Sequence, residues 1–268
     1  MNQLKISFIG GGNMAEGIIQ GMVDDDRFDP QQIYVFDIIP ERISFLHEKY
    51  GVSGAETMQA AVENSDVLVF AVRPQDAQLV SLQVKKFMLK ETIFVSICAG
   101  VTMNSFEEFL GGESKIVRVM PNTLTRARHG FSSVCNNVNV STDELKPVVA
   151  MLEAIGQVMF VKESMFDVFT AYSCTGPAYL LYLMSSMINA GVRAGFARKD
   201  ARAITIENMI GTALKLEQTG LHPYEILDTM TSPAGVGIEG IYTMEKEGLS
   251  GALMHSIEEA TKRAQELA

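Results

Sequence analysis

Short apolar segments with strand character alternate with helical patterns in the first half of the chain. Strand patterns lie at residues 4–9, 33–36, 67–72, 92–99, 116–120, 131–135 and 158–161. Helical patterns follow at 13–22 and at 40–49, where Pro40 opens the helix. The run 67–72 is almost continuously apolar, as expected for a strand covered by helices on both faces. This alternation predicts an α/β fold with a doubly wound parallel sheet.

The second half contains only helical patterns. They occupy residues 165–172, 177–195, 199–219, 223–229, 235–247 and 250–267. The change of pattern predicts two domains, residues 1–162 with the sheet and residues 163–268 with helices alone. The segment 178–194 is apolar on nearly every side, and such a helix must be buried. Because a small helical domain has little interior, we expect a second subunit to cover it.

Composition narrows the class of protein. A formal charge of −10 without a basic stripe argues against nucleic acid, and no apolar run is long enough for a membrane-spanning helix. The first residues run directly into a strand pattern, so we expect no signal peptide and a cytoplasmic location. Three widely spaced cysteines fit a reducing compartment. The four histidines are equally dispersed, so no metal site is expected.

The first strand pattern ends in a G-x-G-x-x-A motif that opens a helix. Gly10 permits a tight turn, Gly12 lets the backbone approach a diphosphate, and small Ala15 allows close packing of helix and strand. Asn13 and Met14 lie in the first helical turn, where free N–H groups bind phosphate. The motif therefore predicts a Rossmann domain that binds a dinucleotide.

Asp37 ends the second strand pattern, 22 residues after Ala15, at the interval expected for a ribose ligand. A carboxylate there binds both ribose hydroxyls and repels a 2′-phosphate, which favours NADH over NADPH. Arg42 lies nearby and is an opposing signal, since its charge would partly neutralise a phosphate. A purely structural alternative is that Asp37 caps the helix beginning near Pro40.

Further motifs follow in order along the whole chain. They are FAVRPQ at 70–75, SICAG at 96–100, RVMPNT at 118–123, SCTGPAY at 173–179, MTSPAG at 230–235 and RAQEL at 263–267. With these motifs the chain resembles the pyrroline-5-carboxylate reductase family from end to end. The resemblance implies hydride transfer from NADPH or NADH to a cyclic imine, forming L-proline. It also implies a homodimer joined through the helical domain, and in many members a larger ring of dimers.

The resemblance carries the nicotinamide-binding role over to two loops that follow strand ends. Their residues are Ala71, Val72, Arg73, Pro74, Cys98, Ala99 and Gly100. Asn122 also follows a strand, and its amide is a candidate for orienting the nicotinamide or its ribose. The alternative for Pro121-Asn122 is an ordinary turn.

Substrate binding is expected from two loops that open helices. The resemblance assigns it to Ser173, Thr175, Gly176, Met230, Ser232, Pro233, Gly235 and Gly237. Capping by Ser173 or Thr175, ahead of Pro177, explains the first loop structurally. A protonated imine needs no strong general acid, which explains why no histidine, lysine or cysteine stands out as catalytic. The candidate catalytic hydroxyls are those of Thr175 and Thr231, and water is the alternative.

The chain departs from the family pattern mainly on the substrate side. The usual TSPGGTT reads TSPAGVG at 231–237, and the usual SGSGPAY has Cys174 and Thr175 in place of glycine and serine. On the cofactor side, Arg73 replaces a lysine, and Leu124 replaces a proline. Two alternatives therefore stay open: a paralogue acting on another cyclic imine, and a nucleotide-binding regulatory protein with little activity. A β-hydroxyacid dehydrogenase is disfavoured because no lysine occurs from 173 to 190.

Overall fold

The computed structural model describes residues 4–267, so the first three residues and the last one lie outside this description. The chain forms two compact units. Among the described residues, the sheet unit comprises 4–175 together with 261–267, and the helical unit comprises Gly176–Ala260. No helix in the described part is both long and apolar enough to span a membrane.

The sheet unit is built on eight strands. In chain order these are β1 (Ile6–Ile9), β2 (Ile33–Phe36), β3 (Ser53–Gly54), β4 (Val67–Phe70), β5 (Ile93–Ser96), β6 (Lys115–Pro121), β7 (Gly130–Asn136) and β8 (Gly156–Phe160). Their order across the sheet is β3-β2-β1-β4-β5-β6-β7-β8. The chain reverses its winding direction between β1 and β4, and ligands of open α/β sheets bind at such a switch point.

Seven helices belong to the same unit. They are α1 (Asn13–Val23), α2 (Pro40–Tyr50), α3 (Met58–Glu63), α4 (Ala77–Val84), α5 (Met103–Leu110), α6 (Thr142–Glu153) and the single turn α7 (Phe166–Phe169). Side chains of Thr57 and Thr102 cap α3 and α5, and Ser141 forms a capping box with Glu144 at α6. These caps satisfy backbone N–H groups that have no partner within the helix.

Two hydrophobic cores cover the two faces of the sheet. Phe8 and Val69 pack into the core that also contains residues of α1 and α6. Ile9 and Phe70, one position further along the same strands, pack into the core with α3, α4 and α5. Successive strand residues point to opposite faces, so each of these strands contributes to both cores. The predicted doubly wound sheet is confirmed.

One detail of the sheet differs from the prediction. β7 runs antiparallel to β6, with Val119 opposite Val134, while all other paired strands are parallel. The connection from Pro121 to Gly130 is too short for the helical crossover that two parallel strands need, so an antiparallel pairing results. The observed β4 and β5 are also shorter than predicted, because residues 71–74 and 97–102 leave the sheet to form loops.

The remaining helices are α8 (Gly176–Arg193), α9 (Arg198–Thr219), α10 (Pro223–Met230), α11 (Val236–Lys246) and α12 (Leu249–Leu267). α8 and α9 pack against each other, and Gly191 allows close approach because a Cβ there would lie 3.0 Å from Ala201 Cβ. Yet α8, which the structure describes in full, has no buried residue. The apolar side chains that predicted a buried helix are therefore exposed or only partly buried in the single chain, with Leu180 and Tyr182 among the exposed ones.

Candidate active site

The glycine-rich loop after β1 adopts a conformation that depends on Gly10. Its φ of +98° is unfavourable for other residues, and a Cβ there would lie 2.5 Å from the carbonyl oxygen of Ala71. At Gly12, by contrast, a Cβ would meet no protein atom within 4 Å. The loop thus packs tightly against β4 at Gly10 and leaves open space at Gly12, as the approach of a diphosphate requires.

Helix α1 begins directly at this open space. Gly12 is the N-cap residue and contributes no side chain, so the backbone N–H groups of Asn13, Met14 and Ala15 have no partner within the helix. Ala15 is buried against the sheet. Together with the helix dipole, these N–H groups form a site suited to a phosphate.

Asp37 lies at the end of β2 and holds the glycine-rich loop. One carboxylate oxygen accepts the N–H of Gly11 at 2.7 Å, and the other accepts the N–H of Ile39 at 2.9 Å. The N-cap residue of α2 is Ile39, without a side-chain cap, so the alternative of Asp37 as the helix cap is wrong. Its position beside the loop is the one expected of a ribose ligand, and its bonds to Gly11 and Ile39 add a structural role that sequence reasoning missed.

A network of charged side chains beneath the loop was also not predicted. Arg42 donates to the carbonyl oxygen of Gly11 and to Glu16, and Lys49 and Tyr50 also donate to Glu16. Glu16 lies in the first turn of α1, and its side chain is only 5% exposed. The signal in the sequence was the helical spacing of Arg42, Lys49 and Tyr50, which places them on one face of α2.

A cleft of about 640 Å³ opens beside the loop. Gly10, Gly12 and Asp37 line one side, and the loop after β4 contributes Ala71, Val72 and Arg73. Its remaining wall is mainly apolar and includes Ile38, Ile39, Leu79 and Val80. An apolar slot next to the N-terminus of α1 and the Asp37 carboxylate has the surfaces that a dinucleotide needs, with apolar side chains suited to an adenine ring.

Two loops follow the ends of β4 and β5. The Cys98 thiol donates to the carbonyl oxygen of Val72 at 3.0 Å and so links them. Burial raises the pKa of Cys98 to about 11, so the thiol is protonated near neutral pH and serves as a structural contact. Gly100 has a φ of +74°, which lets the second loop turn into α5 after Ala99. Arg73 and Pro74 lie in the first loop, where Arg73 pairs with Asp76 at 2.9 Å.

Asn122 joins three segments at the end of β6. Its side-chain oxygen accepts the N–H groups of Leu124 and Phe131 at 3.1 and 3.2 Å. Its amide nitrogen lies 3.5 Å from both the carbonyl and hydroxyl oxygens of Ser173. Pro121 ends β6, and buried Asn122 caps the short helical turn that follows, so the pair does not form an ordinary turn, although the Asn122 side chain has a structural role.

Ser173 lies in a π-helical turn, Thr170–Cys174, and not in an open loop. The Thr175 N–H and hydroxyl both donate to the carbonyl oxygen of Thr170, each at 3.2 Å. Ser173 therefore does not cap α8, and the single hydroxyl proton of Thr175 is occupied in this conformation. Cys174 lies 3.7 Å from the carbonyl oxygen of Pro121, and burial raises its pKa to about 11. Gly176 begins α8, and Pro177 follows in its first turn.

In the helical unit, the loop between α10 and α11 is a tight turn. The Gly235 N–H donates to the carbonyl oxygen of Ser232 at 3.0 Å, and a Cβ at Gly235 would lie 2.3 Å from the Ser232 hydroxyl. Ala234 has a φ of +58°, a conformation that favours glycine. The Thr231 hydroxyl donates to the carbonyl oxygen of Leu227 at 3.1 Å, so its proton too is occupied.

The structure groups the site residues into two sets. The cofactor-binding candidates lie along the carboxyl ends of β1, β2, β4, β5 and β6 in the sheet unit, where Ser173 meets Asn122. The substrate-binding candidates from Gly176 onward belong to the helical unit, with Met230 ending α10, Pro233 in the turn and Gly237 in the first turn of α11.

A doubly wound sheet with this loop and cleft defines the class of Rossmann-type dinucleotide-binding oxidoreductases. Residues 5–100 match the family described as NADP oxidoreductase, coenzyme F420-dependent. Residues 163–267 match the pyrroline-5-carboxylate reductase dimerisation domain. Pyrroline-5-carboxylate reductase 1 of Bacillus subtilis is 34% identical over 267 residues, covering 99% of this chain and 90% of the relative. The chain belongs to the pyrroline-5-carboxylate reductase family, and the resemblance predicted from the sequence is confirmed.

Solved structures agree with this assignment. A pyrroline-5-carboxylate reductase from Coxiella burnetii is 30% identical, with a TM-score of 0.93 over 100% of this chain and 99% of that one. The Plasmodium falciparum pyrroline carboxylate reductase, whose structure has NADP bound, is 26% identical, with a TM-score of 0.89 over 100% and 99%.

Proposed function

We propose that this chain reduces pyrroline-5-carboxylate to L-proline with a nicotinamide dinucleotide as the hydride donor. The observation that carries the proposal is the full-length match to reductases of this name, which extends over both units. The cleft supports it, because phosphate-binding, ribose-binding and apolar surfaces lie together beside β1, β2 and β4.

The residues of the sheet unit hold and orient the cofactor. The N-terminus of α1 at Gly12–Ala15 binds the diphosphate, and Asp37 accepts from the adenosine ribose. The loops at Ala71–Pro74 and Cys98–Gly100 would hold the nicotinamide, and Asn122 would help to orient it. The bound dinucleotide supplies the hydride, and the protein supplies position and electrostatics.

The substrate-binding candidates lie at the starts of two helices in this proposal. Ser173 and Gly176 line the start of α8, and Met230, Ser232, Pro233, Gly235 and Gly237 form the turn before α11. Gly235 caps α11 without a side chain, so free backbone N–H groups are available there for the substrate carboxylate.

Proton supply to the imine nitrogen is assigned to a hydroxyl or to water. Hydride adds to the imine carbon, the C=N π electrons move to nitrogen, and a proton on nitrogen completes the amine. Both Thr175 and Thr231 donate to helix carbonyl oxygens, so either must turn away from that bond to serve the substrate. A substrate that binds as the protonated iminium ion needs no acid group from the protein.

We also propose that NADH is the better cofactor. Asp37 places a carboxylate at the adenosine ribose, and a 2′-phosphate would lie next to it. The structure describes all the residues that line the cleft, and Arg73 is the one basic residue among them. Arg73 is itself paired with Asp76. A catalytic efficiency about tenfold higher with NADPH than with NADH would overturn this preference.

A homodimer joined through residues 163–268 is the proposed assembly, and a ring of dimers is a further prediction. The match to a dimerisation domain and the exposed apolar face of α8 support the dimer. A monomeric mass by light scattering at micromolar concentration would contradict it.

The domain boundary at residue 162 and the cytoplasmic location stay predictions.

The altered loop 231–237 favours one alternative, another cyclic imine acid as substrate. Gly237 lacks the hydroxyl found in the family pattern, and Ala234 occupies a conformation that favours glycine. Parallel assays with pyrroline-5-carboxylate and the six-membered cyclic imine acid test this point. Rapid turnover of the five-membered ring supports the proposal, faster turnover of the larger ring supports the alternative, and binding of nucleotide without turnover indicates a regulatory protein.

A further inference from the structure

Glu16 is a buried acid placed one turn after the phosphate-binding loop. Its side chain is 5% exposed, and it accepts from Arg42 at 2.5 Å, from Tyr50 at 2.9 Å and from Lys49 at 3.1 Å. Burial alone would raise the pKa of Glu16, but the hydrogen bonds from Arg42, Tyr50 and Lys49 outweigh burial and lower it to about 2. Glu16 is therefore negatively charged at neutral pH, close to the site of a diphosphate.

Arg42 connects this acid to the loop itself. Its Nε donates to the carbonyl oxygen of Gly11, and its Nη2 donates to Glu16. From the other side, Asp37 accepts the Gly11 N–H at 2.7 Å. Both polar groups of Gly11 are thus held by charged side chains, and the guanidinium carbon of Arg42 packs 4.9 Å from the centre of the Phe45 ring. Charge-assisted bonds of this kind fix a side chain firmly.

Arg42 lies beneath the loop and is not one of the residues that line the cleft, which the structure describes in full and among which Arg73 is the one basic residue. Arg42 follows Asp37 by five residues in the sequence, and the two side chains bind opposite polar groups of Gly11, so the guanidinium lies near the carboxylate proposed to bind the ribose. Two of its donors are already used, and its charge is offset by Glu16. The exposed Arg73 is paired with Asp76.

We propose that Glu16 is a specificity-determining residue for the cofactor: by holding Arg42 beneath the loop, it withholds the guanidinium from a 2′-phosphate and favours NADH. This inference rests on the proposed use of a nicotinamide dinucleotide. Glu16 itself touches neither substrate nor cofactor in this account and acts as a positioning residue through Arg42.

The test is direct binding of NADH and NADPH, measured by nicotinamide fluorescence in the absence of substrate. In Glu16→Gln, Arg42 loses the carboxylate that holds it beneath the loop and offsets its charge, so the guanidinium becomes available to a 2′-phosphate. We expect the ratio of Kd for NADPH to Kd for NADH to fall about fivefold, the effect of one charge at a partly screened distance. Glu48→Gln is the matched control, because it makes the same charge change at an exposed position of α2 and should leave the ratio unchanged.

A purely structural role for Glu16 gives a different result. Both Kd values would then rise together with an unchanged ratio, and this outcome would overturn the proposal. Adding Arg42→Gln to Glu16→Gln should abolish the shift in ratio, since the effect acts through the guanidinium. A shift that persists in the double variant contradicts the proposal equally.

A second variant keeps the test decisive if Glu16→Gln does not fold. Arg42→Gln alone should weaken both cofactors by a similar factor, because it leaves Glu16 less compensated next to the diphosphate. Selective loss of NADPH binding in this variant would show that Arg42 already serves the 2′-phosphate and would refute the proposal. Absence of binding of either dinucleotide to the wild-type protein would instead refute the proposed function itself.

Discussion

The sheet unit and the helical unit bury their apolar side chains to very different extents. In the sheet unit, strand residues such as Phe8 and Phe70 are fully buried by helices of the same unit. The structure describes every residue of the helical unit, and only Ala201, Thr205 and Ile226 are buried there. The first unit has a core of its own, whereas the second presents apolar helices that need a partner.

The glycine-rich loop and the turn before α11 differ in how well their residues suit their backbone conformations. The glycine-rich loop has glycine where φ is positive, and Asp37 and Arg42 hold Gly11 from both sides. The turn before α11 has Ala234 at a positive φ, and its sequence departs from the family pattern. Cofactor binding is therefore expected to use a prearranged site, and the substrate side departs most from the family pattern.

The largest expected effect distinguishes Gly10 from Gly12, two of the three glycines of the loop. Gly10→Ala places a methyl group against the Ala71 carbonyl at an unfavourable φ and should destabilise the protein by about 3 kcal/mol or more. Gly12→Ala meets no protein atom, so it should leave the melting temperature within a few degrees and weaken dinucleotide binding about a hundredfold. Thermal unfolding and cofactor titration of both variants test this, and equal destabilisation by both would contradict it.

The exposed helical face is tested by a pair of charge insertions. Leu180 on α8 and Leu89 in the sheet unit are 53% and 56% exposed. Leu180→Arg should weaken self-association by about 2 kcal/mol or more, because it introduces a charge into the proposed subunit interface. Leu89→Arg should leave the mass measured by light scattering unchanged. If Leu180→Arg remains fully dimeric at submicromolar concentration, α8 is not the interface.

Restoring a hydroxyl at Gly237 tests whether the altered substrate loop limits activity. A Cβ at Gly237 would lie 3.5 Å from the Met230 carbonyl oxygen and 3.6 Å from Thr231 Cγ2, which is ordinary contact. Gly237→Thr should therefore fold, and we expect kcat/KM for pyrroline-5-carboxylate to rise about tenfold. Gly237→Val has the same shape without the hydroxyl and is the control. Equal effects of the two substitutions would show that the hydroxyl itself plays no part.

The smallest expected effect concerns the strain at Ala234. Ala234→Gly removes the Cβ that disfavours its φ of +58° and should stabilise the turn by about 1 kcal/mol. Ala252→Gly, at an exposed position within α12, should destabilise by a similar amount, since glycine is a poor helix former. The melting temperatures of the two variants should move in opposite directions, and a shift of the same sign would contradict the argument.

Much of the sheet unit could be predicted because local patterns determine it. The strand 33–36 and the start of α1 at Asn13 agree with the structure, since a buried strand and a glycine-rich turn leave clear signals. The helices α3 to α6 were not located individually, because they are short and capped by single side chains such as Thr57. The antiparallel β7 was missed, although the short connection after Pro121 carried the information.

The site was only partly predictable because its organising contacts join distant residues. The helical spacing of Arg42, Lys49 and Tyr50 places them on one face of α2, but no local motif shows that this face meets Glu16, 26 to 34 positions away. Likewise, Asn122 approaches Ser173 from 51 residues away. Spacing identified which residues bear suitable chemistry, but only the folded chain shows which of them share a hydrogen bond.

Isotope transfer tests the central claim most directly. The protein is incubated with pyrroline-5-carboxylate and NADH deuterated at the nicotinamide C4 position, using each stereoisomer in turn, and the product is analysed by mass spectrometry. The account predicts L-proline with one deuterium at the former imine carbon from one of the two stereoisomers. Binding of the cofactor without any labelled proline, and without any from the corresponding NADPH isomers, would contradict it.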